Sequence, residues 1–335
     1  MGGLEKRVNR DAALDFTKGM LVLFMILYHW TNYFVGTEGA VYTYLRFITP
    51  SFIFIAGFLI AHVYPRKYGL HDPQLYRRLF NRGLKLLTLF TLLNVSANLL
   101  FSTGYRGAMP GTSGFFRNAF PVYVSGNAKA AFGILVPISY LLLLSPGVLF
   151  LSGRISQPRY LVSVVLFLFL AFLDYSYLAS SNLTYVAIGL FGMACGFSSL
   201  EKIGNWKGWP YALWSSYFGY LLYITIWGVG YLSQIVGVCL SVGLIYMMGL
   251  GATTGGRLYG QVVLLGEYSL LGYIAQIGVL HAIYHGLRLL DLHVWVWWTV
   301  SFAGAFALTM AAVNVVEWSR SRSTAINRLY GLTFS

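Results

Sequence analysis

Apolar stretches of roughly 20 residues follow one another along almost the whole chain, each long enough to cross a hydrocarbon core of about 30 Å as a helix. Only 10% of the 335 residues are charged and 57% are hydrophobic, with mean hydropathy +0.66. Soluble domains carry about 25% charged residues, so a water-soluble single-core protein is excluded. Lipid offers the backbone no hydrogen-bond partner, so spanning segments must satisfy their own N–H and C=O groups as helices or as a closed barrel. The stretches are continuously apolar and lack the period-2 alternation of barrel strands. The sequence predicts an all-α, polytopic membrane helical bundle.

The spans are expected at 13–35, 42–64, 78–103, 130–152, 159–178, 182–200, 209–230, 231–252, 261–287 and 294–317. That makes about ten transmembrane helices, with both termini on one side. Of the 23 Lys and Arg residues, only Arg46, Arg106, Arg117, Lys129 and Arg288 fall in segments on the other side. The positive-inside rule therefore predicts cytoplasmic N- and C-termini. The organisation expected is a single integral-membrane domain over 1–335, with the bundle at 13–317 and a cytoplasmic tail at 318–335. The break at 228–231, near Gly228 and Gly230, is tight, and the helix count depends on it. Residues 104–129 form the one long external loop, suited to an interfacial cap or a lid.

A net charge of +13 would suggest nucleic acid in a soluble protein, but here the excess is mostly an orientation signal, so no nucleic-acid partner is expected. Cys195 and Cys239 fall inside predicted helices, which argues against a disulfide framework. The first apolar run is too long for a signal-peptide core and no A-x-A-like site follows it, so it is expected to remain as helix 1. No internal repeat is visible, which weakens an inverted-repeat transporter reading.

Helix 1 carries the first chemistry. His29 lies eleven positions after Lys18, and at about 100° per residue they share one face roughly 16 Å apart. The cation is expected at the cytoplasmic rim, paired with Asp15 one turn earlier. The imidazole is expected deep in the membrane, where a neutral ring can accept a proton and act as a general base. The plainer alternative is that His29 hydrogen-bonds a neighbouring helix.

Several segments then match a known family in order and spacing. They are Leu14-Asp15-Phe16-Thr17-Lys18-Gly19, the Lys18-x10-His29 spacing, Phe52-Ile-Phe-Ile-Ala-Gly57-Phe58, Tyr76-Arg77-Arg78-Leu-Phe-Asn-Arg82, and Leu265-Gly266-Glu267-Tyr268-Ser269-Leu270. With them the chain resembles the membrane-bound acyltransferase-3 proteins, a superfamily that includes heparan-α-glucosaminide N-acetyltransferase-like and glucan-succinylating relatives. Three positions depart from it. Lys18 replaces the usual Arg and keeps a point charge without the planar fork. Gln276 stands where His is common, and Glu267 where a basic residue is common.

The resemblance implies acyl transfer from cytoplasmic acyl-CoA, acetyl-CoA first among donors, to a hydroxyl or amine of an extracytoplasmic glycan or lipid-linked glycan. His29 would be the base, in a bacterial inner membrane or other plasma membrane. Donor phosphates need cations, and Arg66, Lys67, Arg77, Arg78, Arg82 and Lys85 gather after helix 2, with Arg78 and Arg82 one turn apart. Lys18, Arg77, Arg78, Arg82 and Lys85 are therefore the expected donor-binding residues. The plainer alternative for this cluster is an ordinary positive-inside loop touching anionic lipid. Tyr28, Asn32, Asn94 and Asn98 are polar groups for the reacting centre, with Asn32 and Asn94 nearest the chemistry and Tyr28 and Asn98 on substrate.

His281 and His285, at i, i+4 near the outer end of helix 9, have a spacing that can hold a metal, but the frame lacks Cys or an HExxH-like carboxylate. They are expected on the acceptor side, with no metal. Gln276, Glu267 and Glu317 are expected to pair helices or sit at an interface. The Asn94-Val-Ser96 and Asn182-Leu-Thr184 glycosylation patterns lie in or at helices and are discounted. The rival class is a transporter or exporter holding a small polar or glycan substrate among His29, Asn94 and Asn98 without covalent chemistry. A third is a catalytically inert relative kept as a scaffold. Membrane lipid is the surrounding partner, and a homo-oligomer is compatible with everything above.

Overall fold

The computed structural model describes residues 11–36, 40–100, 119–127, 132–155, 158–198, 209–252, 256–290 and 293–334, all helices and connections with no strand among them. The helices are α1 (Ala12–Trp30), α2 (Ala40–Tyr44), α3 (Ile48–His62), α4 (Tyr64–Tyr68), α5 (Pro73–Leu100), α6 (Leu135–Arg154) and α7 (Leu161–Leu173). They continue as α8 (Ser181–Gly196), α9 (Trp209–Trp227), α10 (Tyr231–Gly251), α11 (Arg257–Glu267), α12 (Ser269–Arg288), α13 (Val294–Arg322) and α14 (Thr324–Phe334). Among the described residues seven segments are long and apolar enough to cross a membrane: Ala12–Val35, Val41–Tyr68, Leu135–Arg154, Leu161–Leu178, Tyr231–Gly251, Ser269–Arg288 and Val294–Arg322. The protein is a multi-pass helical membrane protein.

The chain divides into two compact units, one of residues 1–51 and 207–335 and the other of residues 52–206. In the first, α1 is the central helix and packs against α10, α11, α12 and α13. Asp11 starts it by accepting from the backbone N–H of Ala13 at 3.0 Å and Leu14 at 3.2 Å. These are donors that a helix N-terminus otherwise leaves unsatisfied. After Trp30 the helix widens into a π-turn, Thr31–Val35, closed by Gly36 N–H on the Thr31 carbonyl at 2.8 Å. The expected span 261–287 is two helices, because α11 stops at Glu267 and Tyr268 leaves helical geometry (φ −104°, ψ 26°) before α12 begins. Between α9 and α10, Gly228 takes φ +75°, a left-handed conformation that suits glycine.

In the second unit α8 packs on α6 and α7, and α5 on α6. Glycines let α3 and α8 touch backbone to backbone: a Cβ on Gly57 would overlap the Gly189 carbonyl, and one on Gly192 the Phe54 carbonyl. Asp174 is buried at the start of a further π-turn, Asp174–Leu178. Its carboxylate accepts from the Ser180 N–H at 2.6 Å and from the Thr184 hydroxyl, tying α7 to the head of α8. Asp174→Ala leaves the Ser180 N–H unsatisfied, while the Thr184 hydroxyl keeps only its bond to the Ser180 carbonyl at 3.2 Å, and is expected to cost about 1–3 kcal/mol. Thermal unfolding of the purified variant in detergent checks this.

Candidate functional site

In the first unit, α1 carries Lys18 and His29 on one uninterrupted helix. Lys18 Nζ lies 2.5 Å from Asp15 Oδ1, with side-chain exposures of 19% and 9%. The pair neutralises a charge that the apolar surroundings would otherwise penalise. The first turns of α1 pack tightly, since Gly19 faces the Val262 carbonyl and Gly266 faces the Asp15 carbonyl with no room for a Cβ. Phe16 stacks on Tyr259 at 5.2 Å.

His29 is half-buried at the end of α1. Tyr28 meets its ring edge-on at 5.3 Å and Tyr273 of α12 lies at 6.4 Å. Tyr28 is itself fixed by Tyr42, stacked at 5.1 Å with hydroxyl to hydroxyl at 2.6 Å. Among the described residues no hydrogen bond engages the His29 ring, so helix pairing does not use up its nitrogens. Asn32 sits half-buried in the π-turn one residue past Thr31, whose hydroxyl donates back to the Leu27 carbonyl at 2.9 Å. Single π-turns of this kind occur often at functional sites.

Further along α12, His281 is buried and its ring lies 4.3 Å from that of His285. Beyond them is an aromatic cluster in which Tyr284 meets Tyr33 at 6.0 Å, Phe34 at 5.9 Å and Trp297 at 6.3 Å. Among the described residues no group of three or more His, Cys, Asp or Glu side chains is placed to hold a metal. The first unit thus brings Tyr28 and His29 together, and pairs His281 with His285.

In the second unit the cations of α4 and α5 form a ladder that the sequence hinted at only in part. Arg78 donates to the Tyr68 hydroxyl at 2.5 Å and its guanidinium lies 4.9 Å from that ring. Arg82 donates to the Tyr64 hydroxyl and lies 5.9 Å from that ring. The two arginines and the two tyrosines are each one turn apart, so each arginine is aimed by a phenol that leaves its charge uncompensated. Lys67 stands 5.3 Å from the Tyr68 ring, and Arg77 and Lys85 are exposed on α5. Tyr64 and Tyr68 are the residues sequence reasoning missed here. Asn94 is buried and donates to the Phe90 carbonyl of its own helix at 3.0 Å. Asn98 belongs to α5, but its side chain lies outside the described residues, as do residues 104–118 of the expected lid with Arg106 and Arg117, and Lys129.

No curated protein and no solved structure matches the chain. A family model does, described as an acyltransferase domain of the acyltransferase-3 type, and it covers residues 11–314. That range takes in the Asp15–Lys18 pair, His29, the arginine–tyrosine ladder and the whole of α12. The chain belongs to this acyltransferase-3 family of membrane acyltransferases.

Proposed function

We propose that the protein moves an acyl group, acetyl first among candidates, from cytoplasmic acyl-CoA to a hydroxyl or amine of an extracytoplasmic glycan or glycolipid, with His29 as general base. The observation that carries this reading is the His29 ring itself. It is an imidazole on a membrane helix, oriented by two tyrosines and engaged by no described hydrogen bond, in a chain of an acyltransferase family. A neutral imidazole nitrogen takes the proton of the attacking O–H or N–H as the new bond to the thioester carbonyl forms. Collapse of the tetrahedral intermediate breaks the C–S bond, and the departing thiolate receives the proton from the imidazolium. Catalyst and co-substrate then return to their starting protonation.

The arginine–tyrosine ladder supports the donor assignment. Two guanidiniums one turn apart, held by phenols rather than carboxylates, keep their charge available for phosphate oxygens. With both termini cytoplasmic, this ladder faces the compartment that holds acyl-CoA. Cells' own lipid-linked glycans and radiolabelled acetyl-CoA, supplied to the purified protein in lipid, should yield labelled glycan. Arg78→Ala with Arg82→Ala should weaken acetyl-CoA binding at least tenfold, because charge-assisted contacts to phosphate contribute about 1.5–3 kcal/mol each. Calorimetric titration measures this. Protein that binds no acyl-CoA yet moves a solute across vesicles overturns the proposal in favour of a transporter.

A further inference from the structure

Gln276 is 0% exposed, and among the described residues neither its Oε1 nor its Nε2 has a hydrogen-bond partner. A buried carboxamide that leaves both its polar atoms unpaired carries the full cost of their desolvation, which native cores rarely tolerate without a reason. Its position supplies one. Gly272, Gln276, Leu280 and Tyr284 succeed one another at i, i+4 along α12. At the lower end of this row a Cβ on Gly272 would stand 3.2 Å from Val22 Cγ1 of α1. At the upper end the Tyr284 ring meets Tyr33 and Phe34, just past the end of α1, at 6.0 and 5.9 Å.

From Val22 to Tyr33 a helix rises about 16 Å, and from Gly272 to Tyr284 about 18 Å. The two helices therefore run side by side in the same direction. Gln276 falls level with Ile26, one turn from His29. Tyr273, three residues before Gln276, is already against the His29 ring. The unpaired amide is thus buried at the α1–α12 seam, at the depth of the proposed base.

We infer that the Gln276 carboxamide is a substrate-facing group of the His29 centre: its NH₂ donates to the acyl carbonyl oxygen, and its Oε1 accepts from an O–H or N–H of the bound substrates. This rests on the acyl-transfer reading given above. As the carbonyl carbon becomes tetrahedral its oxygen gains negative charge, and a donor already in place strengthens with it. The bound substrates thereby satisfy an amide that the described residues leave unpaired.

Gln276→Met, nearly the same shape without the amide donor or its carbonyl acceptor, separates this from a packing role. The substrate-free variant in detergent should unfold at a midpoint raised by roughly 2 °C or more, since an unsatisfied buried amide has been removed. Its kcat for transfer from labelled acetyl-CoA should fall at least tenfold, towards the 10²–10³-fold loss typical of one oxyanion donor, with little change in KM for acetyl-CoA. Gln276→His, which keeps a ring N–H donor, should retain more activity than Gln276→Met. A lowered midpoint in Gln276→Met overturns the inference, because it means the amide serves the fold; so does transfer within twofold of wild type. If the wild-type protein transfers no label, the acyl-transfer reading fails by itself. The raised midpoint then still marks Gln276 as ligand-facing, and a lowered one still rejects it.

Discussion

His29→Ala is expected to reduce acyl transfer by about 10²–10⁴-fold, the range a positioned general base contributes, while the protein still purifies as a folded, monodisperse species. The two halves of that expectation come from one fact. No described hydrogen bond engages the His29 ring, so its removal orphans no buried partner. The neighbouring Tyr28 stays fixed by its contact with Tyr42, so the wall of the site should hold its shape. Lys18→Ala is the informative contrast. It leaves the Asp15 carboxylate, which Lys18 meets at 2.5 Å, buried beside α11 without its cation, and the loss should appear in stability as well as in activity. Label transfer and size-exclusion profiles on the two variants separate the cases. A His29→Ala protein that transfers at near wild-type rate would sink the assignment of the base.

Helix 1 was the most legible part of the chain, because Lys18, Asp15 and His29 are placed by helical periodicity alone and the structure keeps that periodicity intact to Trp30. The arginine pair was legible for the same reason, as Arg78 and Arg82 are one turn apart on a single helix. The tyrosines that aim them were not. Tyr64 and Tyr68 lie on α4, across a turn at Gly69 with φ +81°, and the fold-back that opposes the two pairs leaves no periodic trace. Apolar content gave the expected span 261–287 as one piece, since hydropathy does not register a backbone that breaks at Tyr268. Gln276 has the least visible role of all. A glutamine in a membrane helix reads as a helix-pairing residue, and only the packed structure shows that none of the described residues pairs with it. Sequence patterns report which face of a helix is apolar, whereas an unsatisfied group is a property of several segments at once.

The largest effect on folding is expected at Gly266, two residues before the break at Tyr268. A Cβ there would overlap the Asp15 carbonyl oxygen and come within 2.9 Å of the Gly19 backbone nitrogen. Both obstacles are backbone atoms in the first turns of α1, so no rotamer change relieves the clash, and α11 must move away from α1. Overpacking in a close-packed interior costs typically 1–3 kcal/mol and occasionally more. Gly266→Ala should reach or exceed the top of that range. Gly260→Ala is the control on the same helix, because nothing lies within 4 Å of the added methyl. The better helix former should leave stability unchanged or raise it by up to about 1 kcal/mol. Thermal midpoints of the two purified variants in detergent test the contrast. Equal midpoints would mean that α1 and α11 do not approach backbone to backbone. The seam is also what carries the Asp15–Lys18 pair on α1, so a partly folded Gly266→Ala protein should lose transfer activity out of proportion to its loss of folded material.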